Sequence, residues 1–162
     1  MLRASAAKSM STDLKLPDEQ ATLQLGAALA RGAAPGRVLH LSGDLGSGKT
    51  TLVRGLLHAL GYAGRVKSPT YTLVELYPLS SLNLYHFDFY RFKDRNEWLN
   101  SGFRDYFNAE STCIVEWPER AGELLGPPDV LVTLSFDGSG RSAAFSARSP
   151  SGRDWLSSAL ER

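Results

Sequence analysis

The sequence is poor in several things that would assign it to a class at once. It has a single cysteine, Cys113, so it can form no internal disulfide and no cysteine-based zinc framework, and a reducing compartment is expected. Its three histidines, His40, His58 and His86, are too scattered for a metal-binding pair one helical turn apart. No apolar run approaches the ~20 residues of a membrane span, and the first residues lack the apolar segment of a signal peptide. The expectation is therefore a cytoplasmic, soluble protein with no membrane partner. A formal net charge of +1 provides no strong field for nucleic acid, so contact with RNA would need a local patch or a partner protein. Hydrophobic residues at 43% and charged residues at 22% are ordinary for a globular chain, which excludes general disorder and fibrous proteins. A length of 162 residues suits one domain with one core.

What the sequence does have is concentrated between Val38 and Thr51. Val38-Leu39-His40-Leu41-Ser42 reads as a short apolar strand, Gly43-Asp44-Leu45-Gly46-Ser47-Gly48 as a glycine-rich turn, and Lys49-Thr50-Thr51 as the start of a helix. The turn fits G-x-x-x-x-G-K-[ST] at Gly43, Gly48, Lys49 and Thr50. Glycines allow successive backbone N–H groups to face phosphate oxygens, and the free N–H groups of the following helix favour an anion. Lys49 would reach the β- and γ-phosphates, and the Thr50 hydroxyl would ligate Mg2+. Nucleotide binding is assigned to Gly43, Asp44, Leu45, Gly46, Ser47, Gly48, Lys49, Thr50 and Thr51.

The rest of the chain reads as one unit. Residues 1–12, rich in Ser and Ala with Arg3 and Lys8, are expected to be a flexible tail, and residues 13–162 a single domain without linkers or repeats. Pro17-Asp18-Glu19 opens a helix with Leu25, Ala28 and Leu29 on its apolar face. Leu52, Val53, Leu56, Leu57 and Leu60 mark the buried face of the helix after Lys49, Gly61 stops it, and His58 lies off the stripe as a surface residue. Ser68-Pro69-Thr70-Tyr71-Thr72-Leu73-Val74 is a turn entering a strand. Thr70 and Thr72 are either γ-phosphate-sensing switch hydroxyls or ordinary strand threonines.

From Leu82 to Tyr90 a strand alternates Tyr85, Phe87 and Phe89 with His86, Asp88 and Tyr90. The aromatic face belongs in the core, with His86 and Asp88 opposite; Asp88 could bind metal, orient water or pair with Arg91. Asp94 to Asn108 is partly helical and interrupted at Gly102. Ser111 to Val115 is a buried strand ending at Glu116, where a Walker-B carboxylate would stand although the usual residue is Asp. Asp129–Phe136 and Ala143–Ala147 flank the turn Asp137–Arg141 as a hairpin. Asp137-Gly138-Ser139-Gly140 also fits the GTPase D-x-x-G, but its hairpin flanks and the lack of N-K-x-D exclude that reading. Asp154 to Arg162 reads as a terminal helix.

Taken together, GDLGSGKTTLVRG at Gly43–Gly55, KSPTYTLVE at Lys67–Glu75, YHFDFYR at Tyr85–Arg91, GFRDYF at Gly102–Phe107 and IVEWPE at Ile114–Glu119 closely resemble the TsaE (YjeE) family. These are the P-loop ATPases of bacterial tRNA threonylcarbamoyladenosine (t6A) biosynthesis. The resemblance implies an α/β, three-layer P-loop NTPase-like fold, with a mixed, mostly parallel sheet flanked by helices and a C-terminal antiparallel hairpin. It also implies ATP and Mg2+ as cofactors, and TsaD and TsaB as protein partners, with tRNA engaged indirectly through their complex. By motif position Asp88 and Glu116 resemble the acidic residues at the metal and hydrolytic water, so the catalytic set is Lys49, Asp88 and Glu116 and the metal set Thr50, Glu116 and Asp88. Glu19 matches a position near the base, and Trp117 joins Thr70 and Thr72 as a switch candidate. A small-molecule P-loop kinase and a nucleotide-dependent protein-binding module are the alternatives.

Overall fold

The computed structural model describes residues 12–160, so all but the last residue of the expected tail lies outside the described residues. Among the described residues the chain forms eleven strands and α-helices. They are β1 (Thr12–Leu16), α1 (Glu19–Ala30), β2 (Val38–Ser42), α2 (Lys49–Ala59), β3 (Val74–Pro78), β4 (Asn83–Asp88), α3 (Arg95–Ser101), β5 (Ser111–Glu116), β6 (Val130–Asp137), β7 (Gly140–Ala147) and α4 (Pro150–Leu160). Single 3-10 turns at Phe103–Tyr106, Pro118–Arg120 and Gly122–Leu125 fill the connections.

One seven-stranded sheet runs β1-β7-β6-β2-β5-β4-β3. Its centre, β6-β2-β5-β4, is parallel, and each edge is finished by antiparallel pairing. Only β3 and β7 run against the other strands, which makes the sheet mixed and mostly parallel in direction as expected. Every residue of β5 is buried, the pattern of a parallel strand covered on both faces.

Strand alternation divides the core in two. Leu39, Leu41, Leu84, Ile114, Val132 and Leu134 face α1, α2 and α4 through Leu25, Leu29, Leu52, Leu56, Leu57 and Trp155. Phe87, Phe89, Cys113 and Val115 turn to the other side and pack with Trp98, Phe103 and Phe107. Burial there pushes the Cys113 thiol up to about 12, so it behaves as a small apolar side chain and not as a thiolate.

α1 and α2 cross at unusually close range because each carries a glycine at the contact. A Cβ on Gly26 would stand 2.1 Å from the Leu52 carbonyl oxygen, and one on Gly55 would stand 2.2 Å from that of Leu23. Asp18 caps α1 by accepting the Ala21 N–H at 2.9 Å. Gly61 follows α2 at φ 101°, and Gly102 ends α3 at φ 78°, both glycine stops read from the sequence.

Two elements depart from the sequence reading. β1, at the end of the expected tail and in residues given no element from sequence, adds an edge strand by pairing Thr12–Leu16 with Arg141–Phe145. α4 begins at Pro150 and not at Asp154, because Ser149 acts as its cap: the Ser149 hydroxyl accepts the Gly152 N–H at 2.9 Å.

Candidate active site

The parallel centre of the sheet brings the carboxyl ends of β2, β4 and β5 to one edge, the position where ligands bind in open α/β sheets. β2 runs into the glycine-rich loop, β4 ends at Asp88 and β5 ends at Glu116. In the parallel register Asp88 stands beside Glu116, and both are 3% exposed. They share the face that carries α2, opposite the Phe87–Val115 aromatic face, as the alternation of β4 predicts.

A cavity of about 290 Å3 opens here, lined by Leu45, Gly46, Gly48, Lys49, Thr50, Thr51, Ser68, Thr70, Asp88, Tyr90, Glu116 and Trp117. Gly43, Gly46 and Gly48 adopt φ of 149°, 81° and 105°, values that side chains disfavour, so the loop's glycines are required by its shape. Gly43, Asp44 and Ser47 build the turn behind the lining. Lys49 donates to the Gly43 carbonyl and, at 3.1 Å, to that of Asp44. Its ammonium also lies 4.4 Å from the centroid of the Trp117 ring. Burial pulls the Lys49 pKa down, opposed by the charges of Glu116, Asp88, Glu119 and Asp44.

The acids are held by different donors. Thr50 donates its hydroxyl to Glu116 Oε2 at 2.9 Å, and His86 Nε2 lies 2.8 Å from the same oxygen. Asp88 Oδ2 accepts from Ser68 Oγ and from Thr70 Oγ1, the latter at 3.2 Å, and Oδ1 accepts the Tyr90 N–H at 2.9 Å. Arg91, the alternative partner for Asp88, instead lies over the Tyr71 ring. Thr70 thus reaches the site, whereas Thr72 is exposed and lines no part of the cavity.

Backbone strain is concentrated beside these acids. Leu73 and Trp117, at φ 72° and 58°, are the non-glycine residues with positive φ among the described residues. The Leu73 carbonyl accepts the Asp88 N–H, and Trp117 directly follows Glu116. Such conformations cost about 1–3 kcal/mol each and persist where surrounding structure enforces them.

A second hollow, about 230 Å3, lies across the glycine loop and is lined by Asp18, Glu19, Thr22, Gly46, Gly48, Thr51 and Arg141 among others. Glu19 stands at its edge and pairs with Arg54 at 3.6 Å. The loop is therefore a saddle between an acidic hollow and this second one.

The sequence profile described as threonylcarbamoyl adenosine biosynthesis protein TsaE matches residues 16–143. The chain belongs to the TsaE family. It is 40% identical over 147 residues to the tRNA threonylcarbamoyladenosine biosynthesis protein TsaE of Haemophilus influenzae, covering 88% of this chain and 93% of the relative. The protein of that name from Synechocystis is 41% identical over 119 residues, with 70% and 74% covered. The crystal structure of Bacillus subtilis YdiB superposes with a TM-score of 0.76 at 28% identity, covering 91% of this chain and 93% of that one. Within this TsaE chain, four residues at or beside the site were assigned no role from sequence: Ser68 and Tyr90 line the cavity, His86 bonds to Glu116 from outside it, and Arg141 lines the second hollow. His86 carried a readable signal: two residues before Asp88 in a strand, it must share the face of Asp88.

Proposed function

We propose that the chain is a Mg2+-dependent ATPase that supports t6A modification of tRNA together with TsaD and TsaB, and that it does not itself form the modified base. The observation that carries the reading is the convergence of Lys49, Thr50, Asp88 and Glu116 on one small cavity at the carboxyl edge of the sheet. The names of the relatives in Haemophilus and Synechocystis support the biosynthetic assignment.

The oxygen donors fit magnesium. Among the described residues no cluster of three or more His, Cys, Asp or Glu side chains is arranged to hold a metal. Magnesium, however, is commonly held by one or two carboxylates together with substrate phosphates. Thr50, Glu116 and Asp88 would hold it, where it would neutralise charge on the β- and γ-phosphates. The loop N–H groups would bind the phosphates and Lys49 would leave the Gly43 and Asp44 carbonyls to meet them. Glu116, with Asp88 beside it, would hold and orient the attacking water. Tyr90 and Trp117 wall the cavity and would limit the entry of other water molecules.

ATP turnover by the purified chain, alone and with TsaB–TsaD and tRNA, tests the reading. Turnover is expected to be slow alone and faster in the complex, and to be lost in Lys49→Ala and Glu116→Ala. Transfer of labelled γ-phosphate to a metabolite instead of water would establish a kinase. Full tRNA modification by Glu116→Ala, with normal ATP affinity and partner binding, would establish a nucleotide-dependent binding module.

A further inference from the structure

We propose that His86 is a positioning residue that sets the orientation of Glu116 for hydrolysis, an inference that rests on the ATPase reading. His86 is completely buried in β4 and does not line the cavity, whereas Glu116 does. It reaches the reacting centre only through the carboxylate, with Nε2 2.8 Å from Glu116 Oε2.

The two ends of the ring are treated differently. Nδ1 is buried without a hydrogen-bond partner, which is destabilising for a polar atom removed from water. An apolar residue at this position would avoid that cost. Among the described residues the ring's one side-chain hydrogen bond is at Nε2, and contact with an acceptor-only carboxylate requires Nε2 to carry a proton. The sheet supplies the geometry: His86 is opposite Ile114 in the register of β4 and β5, two residues before the Asp88–Glu116 pair. The side chain thus approaches Glu116 from beneath, from the interior of the sheet.

Thr50 and His86 both bond to Oε2, while Oε1 takes no protein hydrogen bond among the described residues. With Thr50 in the metal set its hydroxyl would be shared with magnesium, and Glu116 would lose one of its two tethers. His86 is the one that remains. It holds Oε2 fixed through the cycle and keeps Oε1 available for the water, so its contribution belongs to kcat and not to nucleotide capture.

The experiment compares wild type, His86→Leu, His86→Gln, Glu116→Gln and the His86→Leu/Glu116→Gln double variant. Each is measured for ADP affinity, KM and kcat in the TsaB–TsaD–tRNA assay, and the ring nitrogens of the free protein are followed by 15N NMR. His86→Leu should lower kcat about ten- to a hundredfold, the usual loss when an outer partner of a site ligand is removed, with KM and ADP affinity unchanged. His86→Gln, whose amide N–H can replace Nε2–H, should recover most of kcat. In the Glu116→Gln background the Leu substitution should cost nothing more. The NMR spectrum should contain a His86 ring protonated at Nε2 whose signal moves in Glu116→Gln. Wild-type kcat in His86→Leu, an equal fractional loss in both backgrounds, or a ring signal indifferent to Glu116 would overturn the proposal. If His86→Leu fails to fold, His86→Gln and the NMR comparison decide in the same way. Absence of turnover by the wild-type chain in the full complex would reject the ATPase reading separately, and the kinetic role of His86 with it, whatever the ring signal does.

Discussion

Asp88 and Glu116 are register partners on adjacent parallel strands, so two carboxylates that need separate stabilisation end up side by side. Asp88 is surrounded by hydroxyls and an amide, Glu116 by Thr50 and His86. This division predicts different defects. Glu116→Gln, which keeps an oxygen for magnesium but loses the carboxylate charge, should lose about 10²–10⁴ in kcat, the range for a positioned acid–base group, with a smaller loss of nucleotide affinity than Asp88→Asn. Asp88→Asn should also weaken Mg2+-supported nucleotide binding, because its Oδ2 gathers Ser68 and Thr70, which line the cavity with it. Isothermal titration of nucleotide with and without Mg2+, beside steady-state turnover, separates the two.

The parts of the site that depend on neighbouring residues were readable from the chain. A strand, glycine turn and helix in succession determine where Lys49 and Thr50 go, and alternation along β4 determines the common face of His86 and Asp88. The contacts that join distant segments were not readable. Ser68, 20 positions before Asp88, bonds to it, whereas Thr72, equally suited by chemistry, is exposed. The choice between them depends on the left-handed turn at Leu73, which no local propensity specifies. β1 was missed because its five residues become a strand only by pairing with β7, and an edge strand of that length carries little pattern of its own. The start of α4 was missed differently. Ser149-Pro150 is a cap followed by a first-turn proline, but the apolar residues that mark the helix begin only at Trp155.

The paired glycines between α1 and α2 predict a stability defect separate from the chemistry. In Gly26→Ala or Gly55→Ala the added methyl would meet a backbone carbonyl at 2.1 or 2.2 Å, so the helices must move apart. Overpacking of this kind costs about 1–3 kcal/mol. For a domain of this size that corresponds to a fall in Tm of roughly 2–12 °C, measurable by calorimetry. The double variant should lose less than the sum, since separation of the helices relieves both clashes.

His40 predicts a sensitivity to acid. Burial, with the charge of Arg148 and against that of Asp129, lowers its pKa from 6.5 to about 4. The unfolded chain therefore takes up a proton that the folded chain refuses, and folding stability falls as pH drops through that window. The full effect, from 6.5 to about 4, is about 3 kcal/mol. Other groups also titrate there, so the comparison is with His40→Phe, whose unfolding free energy should fall less steeply between those limits. Parallel pH profiles for the two proteins would contradict the assignment.

Arg141 predicts a role for the C-terminal hairpin in shaping the nucleotide loop. Its guanidinium donates to the Gly46 carbonyl through Nη2 at 2.9 Å and Nε at 3.2 Å, and it lies over the Phe136 ring at 4.5 Å. Two donors on one carbonyl fix the peptide at the crest of the saddle, where Gly46 borders both hollows. Arg141 makes no hydrogen bond to Asp88, Glu116 or Lys49, so its loss should loosen the loop and leave the arrangement of those three side chains intact. Arg141→Ala is expected to raise the KM for ATP about fivefold, the equivalent of about 1 kcal/mol for a hydrogen bond at a partly exposed position, with kcat within a factor of about two. Arg141→Lys should recover little, because one ammonium cannot reproduce the two-pronged contact. A fall in kcat at unchanged KM would mean that the hairpin acts on the chemical step instead of on the shape of the loop.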